Sequence, residues 1–535
     1  MQLIDRALRS IAASTLPLSV AIPGAALALL ATAAPAQAQA QAQPQARQAP
    51  LLTPETVMLT IDMAPGEPPL VVTLAELMQA FRVPGMSVAV VQDNRIAFSA
   101  GFGVTEAGGT TAVTPATLFQ AASISKPVTA MGALWLVERG KLSLDADVNT
   151  QLKRWKLPES PLAATRKVTL RRLMTHNAGL NVHGFAGYAQ GTAVPGIEQI
   201  LDGKPPANSP AVRVIAEPGS KCLYSGGGVT IEGLMIREAA DQSFEDFMAA
   251  RVLRPAGMTS SSFAQALPPE LAARAASGTG PDGAVTPGKW HVYPELAPDG
   301  LWTTAEDLAR LGIEVSLSRE GKANHVLSQA MTREMLTPHC PDDPGNPGGI
   351  GLGFGVGYGG HPGQFRHSGA NEGFQGLMFM DADKGWGIAL LGNSDSFSSI
   401  YDRIVQVVGD AQGWRYPARP PSAGDLLLVV AARRGVDAAL AQYDRTRNGK
   451  DDPSATACSA RTRSPMRFAS SRATRCSIPR TPMPGTAWAR AMHAPAAGKP
   501  RSATIGGRSH WIQPTPMPSA SWRSSSGRAG TQTSI

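Results

Sequence analysis

The chain has 535 residues, 43% of them hydrophobic and 17% charged, which excludes a disordered or fibrous protein and by length allows about two to four domains. Its net charge of +8 suggests anionic partners, but twelve of the 49 basic residues follow Asp452, where no acidic residue occurs. The part before that point holds 37 basic against 41 acidic residues, so the globular region is mildly acidic and is not a nucleic-acid-binding surface by charge.

Residues 1–36 read as a cleavable export signal. Arg6 and Arg9 precede an apolar run from Leu16 to Ala33, followed by the small-residue sites Ala34-Pro35-Ala36 and Ala36-Gln37-Ala38. Pro17, Pro23 and Gly24 interrupt the run and argue against a membrane anchor, so the expected location is periplasmic or secreted. An Ala/Gln-rich linker follows at 37–50, and the segment 51–415 is expected to form the main domain. Within it, residues 86–100 give two β-rich runs around Asp93-Asn94, a hairpin signature.

The stretch Phe119–Leu136, FQAASISKPVTAMGALWL, sets Ser123 three residues before Lys126. At i and i+3 the two side chains share one helical face, which makes them a candidate nucleophile and base. A bare S-x-x-K is expected by chance about once or twice in a chain of this length, so its setting has to carry the argument. Val128, Met131, Leu134 and Trp135 recur at helical spacing, Gly140 suits a left-handed helix end, and Pro127 is tolerated in a first turn. Lys126 is therefore expected in a buried helical turn, either partnered or desolvated, with desolvation favouring the neutral amine.

Helical patterns and Pro/Gly loops continue to about Leu336. Tyr224 stands before Ser225-Gly226-Gly227-Gly228, read as a Gly-rich turn leading into an apolar helix. Strand patterns return at 365–369, 373–381 and 385–393, close enough together to pair antiparallel. The first of them carries His367, Ser368 and Gly369. Taken singly, Tyr224 is more often a core tyrosine and His367 a lone strand histidine; order and spacing together argue otherwise. Residues 397–413 form an amphipathic helix with Ile400, Ile404, Val405 and Val408 on one face. A short helical extension is expected over 416–447, a pair of helices broken at Gly435. The basic tail 448–535 has the composition of a disordered segment. Two origins fit it: an envelope- or nucleic-acid-binding arm, or out-of-frame translation of GC-rich coding DNA, which is the favoured one.

Strands at both ends and helices between them give an α/β (α+β) domain, an antiparallel sheet flanked by helices with an inserted, mostly helical part. The four cysteines, Cys222, Cys340, Cys458 and Cys476, show no metal-ligand spacing. An oxidising compartment permits a Cys222–Cys340 disulfide, which sequence alone does not assign.

Ser123-Ile124-Ser125-Lys126, Tyr224-Ser225-Gly226 and His367-Ser368-Gly369 resemble the S-x-x-K, Y-x-N and K-T-G or H-x-G elements of the serine β-lactamase and penicillin-binding-protein superfamily, in its class C, D,D-peptidase and family VIII esterase branch. VPGMSVAVV at 83–91, RRLMTHNAGL at 171–180, RPAGM at 254–258, DGLWTTAEDLARL at 299–311 and LLGNSD at 390–395 look similar too. The resemblance covers about residues 70–413. It implies a β-lactamase/transpeptidase-like fold and acyl transfer in which Ser123 attacks a carbonyl, Lys126 and Tyr224 take its proton, and His367 completes the catalytic set. The backbone N–H groups of Ser123 and Ala370 would form the oxyanion hole, with Ser368, Gly369 and Gly226 beside the substrate. No metal or cofactor is implied. The expected partner is a small-molecule or peptide substrate, with no nucleic acid and no stable membrane anchor after signal cleavage.

Two departures bear on the substrate. Gly226 stands where the family usually has Asn, and His367 where many β-lactamases have Lys, which weakens anchoring of a substrate carboxylate. A β-lactam, a D-amino-acid peptide or amide, and an ester therefore all remain open, as does a penicillin sensor that acylates without turnover. An ordinary Ser-His-Asp hydrolase is disfavoured, because Gly392-Asn393-Ser394 comes nearest to a nucleophile elbow and lacks its final Gly. Gly355-x-Gly357-x-x-Gly360 precedes a strand instead of opening a helix, so it fails as a dinucleotide fingerprint.

Overall fold

The computed structural model describes residues 51–340, 348–414, 416 and 421–447. The segments read as export signal, linker and tail lie outside them. Six strands form the central antiparallel sheet: β1 Gly85–Gln92, β2 Arg95–Gly103, β3 Gly355–Val356, β4 Gln364–Asn371, β5 Phe374–Asp381 and β6 Trp386–Gly392. They lie in the order β2-β1-β6-β5-β4-β3. The β1–β2 hairpin turns at Asp93 and Asn94, with φ of 52° and 54°, the pair of left-handed residues that a two-residue type I′ turn requires.

The chain leaves the sheet after β2 and returns at β3; the regular structure in between is almost entirely helical, but long loops join the helices and make up the larger part of the stretch that the sequence suggests is mostly helical. Three helices position what matters here: α1 Ser125–Glu138, α2 Gly226–Ala240 and α3 Ala305–Arg319. The first ends where the sequence places its stop, with Gly140 at φ 65° closing the last turn. Gly226, Gly227 and Gly228 form the first turn of α2, where the sequence suggests a turn outside the helix. Ser225 caps it by accepting from the Gly228 amide at 2.9 Å, and all three glycines are buried where side chains would meet neighbouring loops.

Strand alternation divides the core. Ala89, Val91, Met378, Met380, Ala389 and Leu391 lie on the face packed by α3 and belong to the same core as α1 and α2. Met86, Val88, Val90, Leu377, Phe379, Ile388 and Leu390 face a second apolar layer. That layer includes α4 Ser398–Gln412, whose Ile400, Ile404, Val405 and Val408 are all buried. Burying four such side chains is worth on the order of 1.5–3 kcal/mol each before entropy is counted. The helical pair appears as α5 Ala423–Arg434 and α6 Val436–Arg447, separated by Gly435. Val429, Val430 and Ala439 pack into the same layer. A disulfide joins Cys222 to Cys340, with Cα atoms 6.1 Å apart.

Candidate active site

Ser123 sits in a single tight turn, Ala122–Ile124, that runs directly into α1. Ala122 has φ 49°, a left-handed conformation that costs a residue with a Cβ on the order of 1–2 kcal/mol. Ser125 holds the turn in place: its Oγ donates to Ala122 O at 2.6 Å and accepts from the Leu301 amide at 3.0 Å. The end of β4 lies against the same turn. A Cβ on Gly369 would fall 2.1 Å from Ala121 O and 3.0 Å from Ser123 N, so only glycine lets residues 369 and 370 run beside the Ser123 amide.

Lys126 is 2% exposed, and its three donor positions are all engaged. Nζ donates to Ser123 Oγ at 2.8 Å, to Asp299 Oδ1 at 3.1 Å and to Pro298 O at 3.1 Å. Burial is the largest single influence on this amine and disfavours its charge, but Asp299 and then Tyr224 oppose it and prevail, raising Lys126 above its ordinary value. The sequence leaves Lys126 either partnered or desolvated towards a neutral amine; the structure has it partnered and charged, because Asp299 supplies a buried counter-ion. Ser123 Oγ donates to the same carboxylate oxygen at 3.0 Å.

Tyr224 lies on the short loop before α2. Its hydroxyl interacts with both Ser123 and Lys126, and burial raises it above the usual phenol value. Lys126 Nζ is 5.0 Å from the centre of its ring. His176 fixes the loop from below, accepting the Ser225 amide on Nδ1 at 3.2 Å while its carbonyl accepts from Leu223 N at 2.6 Å. Two residues before Tyr224, the Cys222–Cys340 disulfide ties the same loop to the region before β3.

Three imidazoles surround the phenol, with ring centres 4.1 Å (His176), 4.9 Å (His183) and 6.4 Å (His367) from it. Burial foremost, with the Lys126 charge behind it, pushes all three down, His367 to about 3. His367 Nδ1 lies 2.7 Å from the Ser368 carbonyl; a carbonyl only accepts, so Nδ1 carries the proton and Nε2 is an acceptor. The neighbouring Arg366 turns away, its guanidinium 4.4 Å from the Tyr358 ring.

The structure thus brings Ser123, Lys126, Tyr224 and His367 together, with Ser368, Gly369 and Ala370 on the adjoining strand. Gly226 is buried, and its amide is already bonded to His183 O at 3.0 Å. The sequence does not single out Asp299, His176 or His183. Asp299 lies 176 residues from Ser123, between a proline and a glycine, where an aspartate reads as an ordinary turn residue. Among the described residues, no group of three or more His, Cys, Asp or Glu is arranged to hold a metal ion. What the cluster offers is a hydroxyl with an ammonium, a carboxylate and a phenol around its proton, beside a strand end whose amides can face a developing oxyanion.

The Beta-lactamase family model matches residues 72–408. Penicillin-binding protein 4 of Amycolatopsis lactamdurans is 28% identical over 360 residues, covering 63% of this chain and 87% of that protein. Esterase EstB of Burkholderia gladioli is 31% identical over 162 residues, 29% of this chain and 41% of that protein. Protein Rv1367c of Mycobacterium tuberculosis is 29% identical over 273 residues, 45% of this chain, and the chain spans 65% of its length. Among solved structures, the octameric penicillin-binding protein homologue from Pyrococcus abyssi superposes with a TM-score of 0.53 at 24% identity, over 64% of this chain and 76% of that one.

Proposed function

The chain belongs to the beta-lactamase family, and from that premise we propose that it is a serine hydrolase cleaving uncharged esters or amides through an acyl-enzyme on Ser123. The observation that carries the reading is the 2.8 Å bond from Lys126 Nζ to Ser123 Oγ inside a buried cluster that also contains Tyr224. Ser123 Oγ attacks the acyl carbonyl and its proton passes into that cluster. Backbone N–H groups of Ser123 and Ala370 meet the oxyanion, and water later releases the acyl group with Tyr224 and its neighbours handling the proton.

The substrate preference rests on charge. His367, in the place of the lysine of many relatives, is neutral, and the Lys126 ammonium is already compensated by Asp299. A donor that carries a carboxylate, as β-lactams and D-Ala-D-Ala peptides do, therefore finds no cation at position 367. The name of the Burkholderia gladioli relative, an esterase, agrees with this preference.

A panel of p-nitrophenyl butyrate, nitrocefin, a D-Ala-D-Ala peptide and a D-amino-acid amide tests it. The ester is expected to give the highest kcat/KM. His367→Lys should raise nitrocefin turnover by about 10–10²-fold, the worth of a hydrogen bond to a charged group. Wild-type protein that prefers nitrocefin over the ester would count against the neutral-donor preference. As part of the same proposal the enzyme works outside the cytoplasm, where a disulfide such as Cys222–Cys340 persists; intact mass of protein from the periplasm or medium tests this by locating the N-terminus.

A further inference from the structure

The resting cluster leaves Lys126 unsuited to receive a proton. Its ammonium donates to Ser123, Asp299 and Pro298 at once, so the Ser123 Oγ it touches is accepting that bond, and the serine's own proton points elsewhere. It points to Asp299 Oδ1, 3.0 Å away. We propose that Asp299 is the general base of the reaction, taking the Ser123 proton on Oδ1 as Oγ bonds to the acyl carbon, with Lys126 remaining an ammonium throughout. The inference rests on the acyl-enzyme reading given above.

The proton inventory closes. The O–H bond of Ser123 breaks, its proton forms the Oδ1–H bond of a neutral Asp299, and the nascent alkoxide is balanced by the Lys126 ammonium until the C–O bond forms. The charge then resides on the carbonyl oxygen, at the backbone donors. Asp299 gives that proton up to the leaving group when the tetrahedral adduct collapses, directly or by way of Tyr224, which passes one proton on as it receives one; Asp299 is then a carboxylate again, and deacylation repeats the cycle with water in place of Ser123.

Three observations support the assignment. The Asp299 carboxylate is 1% exposed, and its other oxygen, Oδ2, is buried without a hydrogen-bond partner among the described residues. One oxygen, Oδ1, thus takes both the Ser123 and the Lys126 donors, and Ser123 Oγ–H is aimed along the line a proton transfer would follow. The backbone is fixed to hold it there: Thr129 Oγ1 donates to Ala297 O at 2.8 Å, Lys126 to Pro298 O at 3.1 Å, and Asn371 Nδ2 to Asp299 O at 3.1 Å. Leu296, three residues earlier, is left-handed at φ 54°, strain of the kind that accumulates where a site over-determines its backbone.

The groups acting on Asp299 are Lys126 from α1, Tyr224 from the loop before α2, His183 from the loop between, and Tyr293 and Glu295 from its own segment. His176 and His367 act on Lys126 in turn. Of these, Glu295 is pushed up to about 8 by burial and would add its own step to a pH profile, which Glu295→Gln removes.

Asp299→Asn separates the two candidate bases by sign. The asparagine keeps an acceptor at Oδ1 and removes the counter-ion, so buried Lys126 moves towards the neutral amine. If Lys126 is the base, Asp299→Asn labels as fast as wild type or faster. If Asp299 is the base, the rate falls by about 10²–10⁴-fold. The measurement is the rate of Ser123 labelling by a fluorophosphonate and of the p-nitrophenolate burst, on the full chain, with circular dichroism to confirm folding.

The pH profile supplies a readout that needs no substitution at Asp299. A carboxylate base gives an acid limb followed by a plateau across about pH 6–9, seen most cleanly in the Glu295→Gln background. A lysine base gives a rate that climbs about tenfold per pH unit over that range. Unimpaired labelling of Asp299→Asn, or the climbing profile, overturns the assignment to Asp299 and leaves the acyl-enzyme intact. No labelling of wild-type Ser123 by any ester or fluorophosphonate overturns both.

Discussion

On one face of the central sheet, Leu377, Phe379, Ile388 and Leu390 meet α4 and α5 through side chains alone, with Phe379 and Trp386 stacked at 5.6 Å and Trp386 and Trp414 at 4.6 Å. On the other, the strands back onto α3, and between α1, β4 and the 296–301 segment lie Ser123, Lys126, Thr129, Asn371 and Asp299, all buried and polar. Ala122 and Leu296 are left-handed there. Apolar packing tolerates small shifts because dispersion is spread over many contacts. A buried ion pair with shared protons does not, because each member that loses its partner leaves an uncompensated charge. One face therefore supplies stability, and the other uses part of it to hold groups that would relax if left alone.

Substitutions on the two faces should then separate activity from stability. Ser123→Ala is expected to lower ester turnover by about 10⁵–10⁶-fold with little change in melting temperature. Steady-state hydrolysis with calorimetry on the same sample checks this, and retained turnover would remove Ser123 from its role. Phe379→Ala should do the converse, costing about 3–5 kcal/mol in urea unfolding while kcat per folded molecule stays unchanged. A large fall in kcat there would mean that the faces are coupled.

Tyr224→Phe removes one hydroxyl from the polar face and should reduce kcat by about 10²-fold or somewhat more, with KM nearly constant. The most gradual effect is on pH dependence. His367 titrates at about 6.5 when unfolded and at about 3 when folded, so only the unfolded chain binds the proton between those values. Stability should fall as pH drops from about 6.5 towards about 3, by up to ~1.4 kcal/mol per unit from this group. Thermal melts of wild type and His367→Gln test the sign: the variant should lose less.

Features written in short stretches of chain are legible from the sequence by itself. Asp93-Asn94 marks a hairpin because the turn type needs two left-handed residues in succession, and Ser123 with Lys126 marks a shared face because i and i+3 meet on any helix. The face Ile400, Ile404, Val405 and Val408 is a matter of period alone. Asp299 is not legible, since its neighbours Pro298 and Gly300 explain it as a turn, and its contact with Ser123 depends on how the chain folds across a separation of 176 residues. His176 and His183 are hidden for the same reason. The charge on Lys126 follows from Asp299, so a sequence that conceals one leaves the other open. Gly226–Gly228 opens a helix because Ser225 caps it and tight packing excludes side chains, a tertiary effect that overrides glycine's local preference.

Gly369 draws a line through the strand in evolutionary terms. A methyl group there would collide with the Ala121 carbonyl that shapes the nucleophile turn, so that position is closed to variation. Two residues earlier, His367 presents an imidazole to the site, and its hydrogen bond among the described residues is to the Ser368 carbonyl. One strand thus joins an immutable residue to an adjustable one. A lineage descending from this fold can exchange the substrate-facing side chain at 367 and explore new acyl donors while the nucleophile turn that Gly369 admits keeps its shape. Libraries built on the protein are best concentrated at 367 and 368, with 369 left untouched.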